Sequence, residues 1–70
     1  MTPLSKATVG DTNMIRKITG DDEVRSHLAE LGVVVGVPVT VVSRLGRNLL
    51  LTVNENRVAL DEEMAAHIQV

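Results

Sequence analysis

The 70-residue sequence has no cysteine and no Phe, Tyr or Trp. The first absence excludes disulfide stapling, thiolate metal sites and cysteine nucleophiles, and it fits a reducing compartment. The second argues against two ligand classes often taken by small barrels. Proline-rich peptides dock in aromatic-lined grooves, and single-stranded nucleic acids stack their bases on rings. Charge of one sign is also lacking, since seven Lys and Arg stand against nine Asp and Glu for a formal net charge of -2. That balance does not suit a general polyanion binder, so no nucleic-acid partner is expected. No apolar run approaches the ~20 residues of a spanning helix, and no basic start leads into a secretory signal. The chain is therefore expected to be cytoplasmic, with no direct membrane insertion.

What is present is aliphatic. Hydrophobic residues make up 44% of the chain and charged ones 23%, the composition of a folded domain. At this length residues 1–70 form a single domain whose core is marginal, so most aliphatic side chains must be buried and few remain to line a pocket. Turn-formers around Leu4 and Val9 open the chain. "TNMIRKITG", Thr12 to Gly20, reads as a strand from its β-branched content, with its facing left open: Met14, Arg16 and Ile18 fall on one side, Ile15 and Lys17 on the other. "DDEVRSHLAELG" predicts a helix. Asp21 or Asp22 caps it, Val24, Leu28 and Leu31 form its apolar stripe, and Gly32 supplies the left-handed stop.

The valine-rich stretch "LGVVVGVPVTVVSR" has the two-residue period of a strand from Val37 onward. Val37, Val39 and Val41 share one face and Pro38, Thr40 and Val42 the other, with Pro38 at the strand start or an edge. Val33 to Val35 form a connector with at least one valine exposed. "SRLGRN" is a loop with Gly46 at its permissive position, and Leu49, Leu51 and Val53 are the inward side of the returning strand. "NENR" is a second polar turn. Val58 and Leu60 face inward after it, Asp61 caps a helical turn supported by Glu62 and Glu63, Met64 turns inward, and Ile68 to Val70 close the sheet. The expected fold is mainly β: a small SH3-like barrel of about five strands with an inserted α-helix and a short C-terminal helical turn, closed so that its edges are hidden.

The helix end "LAELG" at Leu28 to Gly32, then Gly36 and "VPVTVV", then "NRVALDEEMAAHIQV" at Asn56 to Val70, resembles the FeoA family in order and spacing from Leu4 onward. Here "VVVG" stands where related proteins commonly place a proline before the glycine, and the loop "SRLGRN" is brief. The resemblance implies an SH3-like barrel and a non-enzymatic cytoplasmic accessory or regulatory protein for ferrous iron uptake. Its implied partner is FeoB, the membrane transporter whose own cytoplasmic part binds GTP. Related domains also end iron-dependent repressors, but with no DNA-binding domain ahead of this one a free-standing transcription regulator is not expected.

The residue chemistry names no active site. There is no phosphate loop "GxxxxGK[ST]", Ser5, Ser26 and Ser43 lack a nucleophile's turn, and the clustered carboxylates Asp21, Asp22, Asp61, Glu62 and Glu63 sit at helix starts. No catalytic residue, cofactor or metal ligand is assigned, and the chain is not expected to be an enzyme. The alternative function is a metal-responsive binding module or self-associating regulator using His27, near Glu23 and Glu30, or His67, near Glu63. Helical spacing brings these side chains together without the paired-histidine pattern of a zinc enzyme. The candidate partner-binding residues are Arg44, Leu45, Arg47 and Leu50. With the valines inward, Val42 and Leu50 face out on adjacent strands and Leu45 protrudes at the tip, giving an apolar patch rimmed by Arg44 and Arg47, with Arg57 across the next turn. The competing readings are a solvated loop, or a first helix that covers Val42 and Leu50.

Overall fold

The structure, a computed structural model, describes all 70 residues. Its elements are a 3-10 turn (Leu4–Lys6), β1 (Thr12–Met14), β2 (Lys17–Ile18), α1 (Asp22–Glu30), β3 (Pro38–Leu45), β4 (Asn48–Val53), β5 (Asn56–Asp61), α2 (Glu62–Ala65) and β6 (Ile68–Gln69). Four strands form one antiparallel sheet in the order β1-β3-β4-β5, and β2 pairs with β6 in a second. The two sheets enclose a single aliphatic core in the expected small bent barrel, but they do not join into one closed sheet, so the edges are not all hidden: β1 and β5 end the four-stranded sheet.

The segment read as one first strand is two, because it changes partner midway. Ile15 N–H bonds the Val37 carbonyl at 3.0 Å, whereas Arg16 N–H bonds the Gln69 carbonyl at 2.8 Å. Ile15 sits fully buried at that switch, while Met14 is 51% exposed. Six short strands result.

Local signals shape α1. The Asp21 carboxylate accepts from Val24 N–H at 2.9 Å, and Asp22 and Glu23 lie in the first turn, where the helix dipole favours them. At the other end Gly32 takes φ +85°. Gly32 N–H then bonds the Ala29 carbonyl and Val33 N–H the Leu28 carbonyl, the paired bonds of a Schellman stop. That stop places Val33 against Leu28, and both are fully buried. It decides the fate of the connector: Val33 joins the core, while Val34 and Val35 are exposed.

The sheet follows the expected alternation, with Val39, Val41, Leu49, Leu51 and Val53 all buried. The hairpin between β3 and β4 is tighter than the sequence suggested. β3 runs on through Ser43 and Leu45, so the loop shrinks to Gly46 and Arg47, and Gly46 alone takes the positive φ, +63°. Between β4 and β5 the two-residue loop is Asn54 and Glu55, both at positive φ. Asp61 caps α2 by accepting from Met64 N–H at 2.8 Å; Ala65 is the fully buried residue of that turn, and Met64 is half-buried. Leu4 fills the core from the N-terminal 3-10 turn, a role that turn-formers alone do not announce.

Candidate partner surface

The geometry of the β3–β4 hairpin depends on one irregularity. Val41 pairs with Leu51, but the next paired residue is Ser43, opposite Leu50, so Val42 is the extra residue of a β-bulge. A bulge resets the in-out alternation. Without it Ser43 and Leu45 would point inward and Arg44 outward; with it Arg44 lies opposite buried Leu49, and Leu45 turns out to 82% exposure.

This separates the four candidate residues. Leu45 and Leu50 share the outer face of the hairpin, Leu50 half-buried, together with half-buried Val42. Leu28 carries α1 into the core on the inner side, and neither Val42 nor Leu50 belongs to the residues packed against that core. α1 has no sizeable packing contact with β3 or β4, so it does not cover the outer face. Arg44 reaches the other way, its Nη2 donating to the Ser5 carbonyl and, at 3.0 Å, to the Ala7 carbonyl. It clasps the N-terminal turn to the end of β3. Arg47 extends from the tip, its carbonyl accepting from Glu62 N–H at 2.8 Å and its Nε lying 3.9 Å from Glu62 Oε2. That ion pair is long and solvent-exposed, so it holds the guanidinium weakly. Arg57 stands opposite Thr52, at the far end of β4 from the tip.

The histidines occupy unlike places. His67 is half-buried, its Nδ1 3.2 Å from Thr19 Oγ1, where it helps join β2 to the chain after α2. His27 is exposed on a shallow groove beside Glu23, Glu30 and Met64. No three His, Asp or Glu side chains converge as a metal-binding group. No polar or charged side chain is buried, and no helix is long and apolar enough to cross a membrane.

The family model of the FeoA domain matches residues 2–70. The chain belongs to the FeoA family. Among solved structures, an iron uptake regulatory protein (FeoA) superimposes with TM-score 0.89 at 24% identity, over 96% of this chain and 91% of that one. FeoA of Stenotrophomonas maltophilia in complex with zinc, described as a prokaryotic SH3 domain protein, gives 0.81 at 26% identity over 94% of this chain and 85% of its own. A manganese-dependent transcriptional repressor matches at 0.87 and 20% identity, over 94% of this chain but 38% of that one. A comparison with curated proteins finds no match. The SH3-like barrel expected from the strand pattern is thus the fold of this FeoA domain.

Proposed function

We propose that this FeoA domain is a non-enzymatic, cytoplasmic accessory protein of ferrous iron uptake that binds the GTP-binding part of a FeoB-type transporter and adjusts its nucleotide-dependent state. The family match over residues 2–70 carries this reading. The hairpin surface supports it: Leu45 is the most exposed of the large aliphatics, and a side chain so placed gains by burial against a partner. Leu45 and Leu50 make the apolar contact. Arg47 exchanges its loose pairing with Glu62 for a partner carboxylate, and Arg44 sets the pitch of the hairpin through Ser5 and Ala7.

The test is co-purification of this domain with detergent-solubilised full-length FeoB, without nucleotide and with GDP or a non-hydrolysable GTP analogue. Saturable binding that depends on nucleotide is expected. Absence of binding in every state, with both proteins folded, would overturn the reading.

The zinc complex of the Stenotrophomonas relative favours a second reading, a metal-responsive module using His27 or His67. It is the weaker one here, because His67 is already engaged by Thr19 and His27 has no convergent third donor. Calorimetric titration with Zn2+ or Fe2+ separates the two: one equivalent bound, and lost in His27→Ala or His67→Ala, would favour the metal.

A further inference from the structure

Strand β5 is an open edge. In the four-stranded order its only sheet neighbour is β4. The direction of its backbone groups follows from the hairpin register. The two-residue loop Asn54-Glu55 is closed by the pair Val53 and Asn56, and Glu62 N–H bonds the Arg47 carbonyl at 2.8 Å. Both fix the hydrogen-bonded positions at every second residue, so Asn56, Val58 and Leu60 turn their backbone groups toward β4. Arg57, Ala59 and Asp61 turn theirs away. The N–H and C=O of Arg57 and Ala59 meet no other backbone group, and both residues are exposed.

The sequence along this edge is self-complementary. "RVALD", Arg57 to Asp61, has opposite charges placed symmetrically about Ala59. We infer that β5 pairs with β5 of a second copy of this chain, antiparallel about a two-fold axis at Ala59, to give one eight-stranded sheet. In that register Arg57 faces Asp61 of the second copy on the outer face, Ala59 faces its own counterpart, and Val58 faces Leu60 on the inner face. Every group that must bond is one that points outward. Ala59 exchanges two bonds with its counterpart, and each Asp61 N–H meets an Arg57 carbonyl, about four backbone bonds in all. The Asp61 carboxylate keeps its oxygen on Met64 N–H and offers the other to arginine.

The core carries the same signature. Eleven of its side chains are buried to 0–1% exposure, whereas Val58 and Leu60, both on β5, keep 8% and 6%. An added strand covers that remainder. Sliding the register by two residues sets Arg57 against Ala59, and a parallel arrangement sets Arg57 beside Arg57, so charge selects the two-fold register. The outer face then runs Leu50, Ala59, Ala59, Leu50 across the axis, joining two copies of the hairpin surface without covering either.

One pair of six-residue strands buries little area, so the association is weak, with Kd on the order of 100 µM. Sedimentation equilibrium from about 10 µM to 1 mM should show a monomer–dimer transition, with amide exchange at Ala59 and Asp61 slowing as concentration rises. Ala59→Pro removes an N–H that β4 does not use, and should weaken the dimer about tenfold or more. Arg57→Glu sets like charges face to face, and should weaken it in a salt-dependent way. A monomer at 1 mM would overturn the inference. So would a dimer whose Ala59 and Asp61 amides exchange freely, or one that both variants leave intact. Should Ala59→Pro melt the fold, Arg57→Glu and the wild-type amides decide.

Discussion

Gly20 and Glu55 show how single backbone positions limit this barrel. Gly20 joins β2 to α1 with φ +105°, and a Cβ there would lie 3.0 Å from Val24 Cγ1 and 3.2 Å from His67 Nδ1. Strain and overlap act together, so Gly20→Ala should cost about 2 kcal/mol and lower Tm by about 10 °C or more, measured by circular dichroism. An unchanged Tm would mean that the loop rotates freely. Glu55 is the converse case. It holds φ 74° after Asn54 at 48°, in a turn whose second position favours glycine. A left-handed side chain costs roughly 1–2 kcal/mol, and the added unfolded-state freedom of glycine takes back part of that. Glu55→Gly should raise stability by about 0.5–1 kcal/mol in urea titration. A loss would show that the Glu55 side chain makes up for its strained backbone.

At the scale of elements, what the sequence discloses depends on how far each interaction reaches along the chain. The helix was legible because its cap, its stripe and its stop lie within a dozen residues, and the strands because valines and leucines alternate. Ile15 was not, since its burial follows from a change of partner between β3 and β6. Nor was the inward turn of Arg44. Alternation from Val41 predicts it outside; the bulge at Val42 inverts the order, and its two acceptors lie 39 and 37 residues away. The same bulge is why Leu45 points outward, so that part of the candidate surface was located for an incomplete reason. Arg44 offers a direct check on the clasp. Arg44→Ala leaves the part-buried Ser5 and Ala7 carbonyls without their charged donor, which should cost about 1.5–3 kcal/mol. Arg44→Lys should recover part of this, because a lysine places a point charge near two carbonyls without the guanidinium fork. Equal stability of all three proteins would remove the clasp from the account.

For the whole molecule, the question is which surface is free to do work once the fold is satisfied. A 70-residue barrel commits most of its large aliphatics to one core, and those left outside stand out. Met14 and Val35 lie at the start of β3 and Leu45 at its far end. The Leu45 end carries an adjacent cation at the hairpin tip, Arg47, held by nothing stronger than a 3.9 Å exposed pair. Leu45→Ser removes a side chain that touches little, so folding should change by no more than about 0.5 kcal/mol. In the proposed contact with FeoB the same substitution would remove the central apolar anchor, and binding should weaken about 10- to 100-fold. Leu50→Ser should cost both stability and binding, because Leu50 is half-buried in the sheet. Arg47→Glu should act mainly on the association rate and its salt dependence, as a rim charge does. The pattern, more than any single loss, carries the test: surface plasmon resonance with immobilised FeoB should rank Leu45→Ser as a dissociation defect and Arg47→Glu as an association defect. Wild-type kinetics for both, in folded protein, would count against the proposed contact with the transporter at this hairpin.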